Sequence, residues 1–284
     1  MSNASQANNS EPLMIAARSV SEAYSRVLLH ILGHPGKEIA PLVLTIDGFD
    51  QKYDVPEDPA VRIAVDALLK AKGYIDVEDV AYTIFPQRLW TMAQGDRARL
   101  FEFYRMAFPA YRARNPKLNG RGLYFERLVM FGRGPCEGNQ LEWILSQFES
   151  RSGVRRSMWQ ATTFDPERDH NASAQLGFPC LQHVTFVPTK AGLVANAFYA
   201  TQQLFDKAYG NYLGLAQLAA FVAHEMKLPL ARLNVTIGVA KLERITKTDQ
   251  AMKPLIEAAD GCIARSSDAG AAASAPARTI VDAA

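Results

Sequence analysis

The side chains best able to do covalent chemistry here are three cysteines, Cys136, Cys180 and Cys262. An odd, sparse set with no Cys-x-x-Cys pair fits neither a disulfide framework nor a structural zinc site. A thiol is a nucleophile only as the thiolate, which needs positive charge nearby. Arg155-Arg156 supply that charge, although spacing alone brings them to no particular cysteine. Cys180 follows Phe178-Pro179 at the mouth of a strand-like run. Cys136 sits in a Gly-Pro-Cys-Glu-Gly turn, and Cys262 lies close to an Ala-rich tail. The alternative for Cys180 is a small buried hydrophobe, the usual role of a free cysteine.

The remaining polar candidates are weaker. His183 stands three positions beyond Cys180, so in a strand its side chain faces the opposite way. His224-Glu225 is half of a zinc motif with no second histidine at the required spacing, and reads as a helix-end pair. His170, in Arg168-Asp169-His170-Asn171, reads as solvated. Gly132-Arg133-Gly134 is too short for a phosphate loop. Phe101, Phe103, Tyr104, Phe108 and Tyr111 read as core, because no basic interleaving on a strand accompanies them.

Elements to position these groups follow from period and punctuation. Ala16 to Leu32 has apolar residues at helical spacing, ended by Gly33. Leu42 to Ile46 is a short strand. Pro59 to Lys72, Asp96 to Ala107 and Gln140 to Phe148 read as helices. Cys180 to Pro188 and Gly192 to Thr201 are strands joined as a hairpin. Tyr212 to Met226 is apolar on nearly every side, which predicts a helix buried in the core. Leu233 to Val239 is a further strand. The class is therefore α+β, or mixed α/β. Residues 1–12 and the Ala/Ser-rich 266–284 are expected to be disordered tails around one domain at 13–265.

Composition narrows the partners. With 48% hydrophobic and 21% charged residues the chain is ordinary globular material. A net charge of +2 predicts no nucleic-acid footprint, so any anion site must come from placed arginines. No apolar run approaches the ~20 residues of a membrane span, and no secretory leader is recognisable. Unpaired thiols point to a reducing, cytoplasmic setting.

From Cys180 to Glu243 the chain resembles, without a gap, the central block of the thymidylate synthases and related pyrimidine hydroxymethylases. Their Pro-Cys-His, Tyr-Gln-Arg-Ser and Pro-Phe-Asn segments look like Pro179-Cys180-Leu181, Phe198-Tyr199-Ala200-Thr201 and Tyr209-Gly210-Asn211. Their Ser-Arg-Arg looks like Val154-Arg155-Arg156, and Gly-Pro-Val-Tyr-Gly looks like Gly122-Leu123-Tyr124-Phe125. The resemblance covers about residues 120–243, is weaker before, and fades after.

This resemblance implies a mixed sheet with surrounding helices and a buried central helix. It implies Cys180 as the nucleophile that adds to C6 of a pyrimidine, activating C5 toward the one-carbon unit of 5,10-methylenetetrahydrofolate. Tyr124 would lie close to the thiol, and Asp66 would take the place of the family's catalytic glutamate. Asn211 would bond the pyrimidine edge, with Thr201 and Gln203 at further substrate positions. Arg155 and Arg156 would bind phosphate oxygens across a homodimer interface, where bidentate arginine is well matched. Departures weigh against an ordinary thymidylate synthase. Ala200 replaces a phosphate arginine, Leu181 a histidine and Gln203 an aspartate, while Lys241 and Glu243 replace the sugar ligands. An enzyme of altered specificity and a nucleotide- or partner-binding protein without turnover are both expected from such a set.

Overall fold

The computed structural model of the chain describes residues 11–50, 53–114, 116–119, 122–170 and 179–274. Leu13–Ala17 form a strand, β1, so Ala16 and Ala17, expected to open a helix, close a strand instead. Helix α1 (Val20–Gly33) starts later because the Ser19 hydroxyl accepts the Glu22 amide at 3.1 Å, while the Glu22 carboxylate takes the Arg18 amide at 2.7 Å. Reciprocal capping of this kind satisfies backbone donors that have no partner inside the helix.

After β2 (Glu38–Ile39) and β3 (Leu42–Ile46) come α2 (Pro59–Ala71), α3 (Val77–Tyr82), α4 (Gln87–Ala93) and α5 (Arg97–Arg114). Then follow α6 (Pro116–Asn119), α7 (Tyr124–Val129), α8 (Gln140–Ser150), β4 (Gln160–Thr162) and α9 (Pro166–Asp169). The hairpin is β5 (Leu181–Thr189) and β6 (Gly192–Gln203), followed by α10 (Ala208–Glu225), β7 (Leu230–Lys241) and α11 (Lys253–Ser274). The strand and helix expected at 233–239 and 212–226 thus extend at one or both ends.

The seven strands make one mixed sheet in the order β1-β3-β7-β6-β5-β4, with β2 pairing on β7. β1 is parallel to β3 and β6 to β7; the other pairs are antiparallel. Alternation gives the sheet two unlike faces. Leu44, Ile46, Val235, Ile237 and Ala197 are buried on the side where α1 and α10 pack. Opposite, one row of registered residues crosses four strands. Thr45 donates to Asn234 Oδ1 at 3.1 Å, Asn234 Nδ2 to Asn196 Oδ1 at 2.8 Å, and Asn196 Nδ2 to Thr185 Oγ1 at 2.9 Å.

Helix α10 is buried on nearly all sides and pressed against α3. A Cβ on Gly210 would lie 2.5 Å from Val80 Cβ, and one on Gly214 2.7 Å from Ala81 O, so only glycine lets the two helices approach this closely. The tail expected to be disordered from Ser266 instead continues α11 to Ser274. Alanine is the strongest helix former, and α11 is anchored by buried Leu255, Ala259 and Cys262 against α1 and α2. No helix of the described residues is long and apolar enough to cross a membrane.

Candidate active site

The sheet bends where Cys180 enters it. On β5 the register shifts between Leu181 and His183. On β6 Tyr199 and Gln202, three residues apart, are both buried, and so are their β7 partners Ile237 and Ala240. Regular alternation buries every second residue, so neighbouring strands lose phase together. The exposed Thr201 falls within this slip, its Oγ1 3.6 Å from Cys180 Sγ.

Tyr124 reaches the same thiol from the first position of α7. Burial, and then the neighbouring Cys180, push its phenol well above the ordinary range. The phenol is therefore a permanent proton carrier at neutral pH, able to donate to a thiolate. The Tyr199 ring stands 6.5 Å from that of Tyr124. Tyr199 is fully buried, its hydroxyl has no partner among the described residues, and burial followed by Tyr124 and Cys180 raises its pKa too.

Two contacts fix α7 and hence Tyr124. The Phe125 amide donates to Thr83 O at 2.8 Å, seating the helix start on the turn after α3. Beneath it, Arg127 donates to both carboxylate oxygens of Asp169, at 2.6 and 2.8 Å, and to Thr163 O at 2.8 Å. Both side chains are buried. Burial would raise the Asp169 pKa, but the Arg127 bonds and the Asp165 amide outweigh it and hold the carboxyl below the usual range.

Asn211 lies in the first turn of α10, between Gly210 on the α3 contact and Tyr212, whose hydroxyl donates to Gln202 Oε1 at 2.8 Å. It is only 6% exposed, and its side-chain amide makes no hydrogen bond among the described residues. A buried amide without partners is costly unless a ligand completes it.

Not every expected residue joins this cluster. Asp66 is committed elsewhere: its carboxylate accepts from Arg62 Nε at 2.7 Å and from the Val77 amide at 2.9 Å. It ties α2 to the start of α3, and Cys180 is not among its contacts. Arg155 and Arg156 are exposed at a short 3-10 turn beside β5, and neither forms an ion pair among the described residues. Gln203 Nε2 donates to Glu243 at 3.5 Å, Lys241 pairs with Glu38 at 2.9 Å, and Leu181 is wholly buried. At Ala200 the backbone amide donates to Cys180 O at 2.9 Å. His183 pairs with Phe198 in the register and meets Gln160 Oε1 at 2.9 Å. Cys136 is exposed and Cys262 buried.

Arg127, Asp169 and Tyr199 were not singled out by sequence. Arg127 and Asp169 are 42 positions apart, and nothing local marks them as partners. Two clefts, of about 280 and 310 Å³, lie elsewhere, lined by none of Cys180, Tyr124 and Asn211. The cluster thus offers a thiol, a protonated phenol and a hydroxyl, a set suited to adding sulfur to an electron-poor ring, and the open Asn211 amide lies on α10. No family model matches this chain, and no curated protein matches it.

Proposed function

We propose that the Cys180 thiolate adds to C6 of a pyrimidine nucleotide or nucleoside, and that a one-carbon unit from 5,10-methylenetetrahydrofolate is then joined to C5. The protein would be a divergent relative of the thymidylate synthases and pyrimidine hydroxymethylases. The observation that carries this reading is the meeting of Thr201 with the Cys180 thiol at the bend of the sheet, with Tyr124 beside it.

In this mechanism an S–C6 bond forms and the C5–C6 π electrons move toward C5 and the exocyclic oxygen. Tyr124 donates to sulfur, holding the thiolate before attack and accepting it back when the S–C6 bond breaks. The C5 proton passes to water once C5 carries its new carbon, and that transfer is what a tritium label at C5 reports. Asn211, with one donor and one acceptor group free, matches a ring edge that presents N–H beside C=O. Folate would supply the carbon. Gln203 and Glu243, whose side chains meet beyond Thr201, offer the acceptors that an amino-bearing pterin edge needs. The product is methyl or hydroxymethyl, according to whether hydride or water reaches the new carbon.

A homodimer fits the same reading. The uncovered sheet face, with its Thr45-Asn234-Asn196-Thr185 row and Phe198 at 41% exposure, is suited to packing on its own copy through an isologous contact. Arg155 and Arg156 would then serve the partner's phosphate.

One observation favours a second reading, a nucleotide-binding protein without turnover. Asp66, the residue expected to move protons, is bound to Arg62 and Val77. A panel of pyrimidine mononucleotides and nucleosides tritiated at C5 separates the two. Tritium release that depends on one of them supports the enzyme. Tight binding with no release, with or without methylenetetrahydrofolate, supports the binding protein.

A further inference from the structure

A cleft of about 280 Å³ opens along the C-terminal half of α10, away from the Cys180 cluster. Its wall is aromatic. The His224 ring stands edge-to-face with Tyr53 at 5.2 Å and with Trp90 at 5.5 Å, and Trp90 meets Phe221 at 4.9 Å. Tyr53 holds a φ of 63°, a left-handed conformation uncommon for a bulky residue. Such strain persists where surroundings enforce it, and it gathers at ligand clamps.

Two acceptors in this cleft lack donors among the described residues. The Asp54 carboxylate lines it and makes no ion pair or hydrogen bond among the described residues. Gln217 Oε1 is buried with no partner among them. His224 Nδ1 is already engaged by Glu225 at 3.0 Å. Among the described residues no lysine or arginine lines the cleft.

We infer that this cleft binds a planar cationic or amino-bearing aromatic group of one or two rings. The ring would lie against Trp90 and Tyr53 while its N–H groups satisfy Asp54 and Gln217. Aromatic faces attract cations, charge-assisted hydrogen bonds to a carboxylate add direction, and the volume is at the small end for ligand pockets. The assignment is independent of the chemistry at Cys180.

Benzamidine, a one-ring amidinium, is the probe, titrated into the full chain with tryptophan fluorescence and ligand-observed NMR as readouts. Saturable binding is expected, weakened about tenfold in Asp54→Asn, because the exposed Asp54 supplies charge and no fold contact. Trp90→Phe should lose the fluorescence response while NMR still detects binding, and Cys180→Ala should bind like the parent. Benzoate, matched in size with the opposite charge, should not saturate. The inference is overturned by benzoate binding as tightly as benzamidine, by full affinity in Asp54→Asn, or by a fluorescence response that survives Trp90→Phe. Absence of saturation by about 10 mM, beyond even millimolar affinity, would overturn it as well.

Discussion

Two buried polar groups, Tyr199 on β6 and Asn211 on α10, lack partners among the described residues, whereas the charges that gather at Arg62 and Asp66 all have one. The Tyr199 hydroxyl is buried with no partner among the described residues beside the Tyr124 ring, and on α10 Asn211 offers an amide with no hydrogen bond among them. At Asp66 the Arg62 guanidinium bonds Glu57 at 3.1 Å and Asp66 at 2.7 Å and reaches Glu78 at 3.5 Å, while the Val77 amide takes the remaining Asp66 oxygen at 2.9 Å. Completed networks hold a fold in place; incomplete ones at a buried position are left for something that arrives. The contrast teaches that a carboxylate and a thiol nominated for one reaction can belong to different tasks. Stability should depend on one and turnover on the other.

The largest stability effect is expected beneath the thiol site, at the platform of Tyr124. Asp169→Asn leaves the Arg127 charge buried and poorly paired, which typically costs about 3–5 kcal/mol. Urea denaturation at neutral pH checks it. The pH dependence has a definite sign. A carboxyl held below its ordinary value gives stability that is present above the unfolded value, near ~3.9, and lost as pH falls through the depressed folded value. The gap between parent and variant should therefore close on acidification below about pH 4.

Next comes the Asp66 side of the comparison. Asp66→Ala removes the acceptor of a buried backbone amide, Val77 being 1% exposed, and should cost about 1–3 kcal/mol. The Arg62 pair adds little, because both side chains are partly solvated. C5 exchange per folded molecule should stay near the parent's. A collapse of exchange with stability preserved would break the contrast and return Asp66 to the reaction.

The reasons some of this was legible and some was not are local. β5, β6, β7 and α10 announce themselves, because two-residue alternation and an all-apolar helical run are strong signals. The end of β1, Ala16 and Ala17, merges into the expected helix because a short apolar strand running into an apolar helix carries no break in hydropathy, and the Ser19-x-x-Glu22 capping box is what marks the true helix start. The α11 extension was hidden by composition, since Ala-rich sequence serves both tails and helices. Cys180 and Thr201 came from one ungapped block and meet at 3.6 Å, while Tyr124 came from a motif upstream of it. Asp66 came from a stretch where the match was weak, and helical position alone cannot say which partners a carboxylate meets. The Arg127–Asp169 platform depends on tertiary contact and left no trace in spacing.

Smaller effects sharpen the thiol side. Tyr124→Phe keeps the ring and deletes the hydroxyl that would donate to sulfur, so exchange should fall about tenfold with little change in stability. Initial rates on purified protein read this directly, and an unchanged rate would make Tyr124 packing alone. Ligand choice should be unusual as well. With Ala200 in place of an arginine and Lys241 occupied by Glu38, dUMP should bind more weakly than another pyrimidine of the panel, as calorimetry would record. Micromolar dUMP affinity would mean that the missing groups do not matter.

The most direct measurement is tritium release from C5 of the best pyrimidine substrate, by the parent and by Cys180→Ala side by side, with thermal unfolding recorded for both. The half-buried thiol makes only a modest contribution to packing, so the two proteins should unfold at closely similar temperatures. Release should be brisk in the parent and absent in Cys180→Ala. Release that continues in the folded variant would contradict covalent catalysis by Cys180.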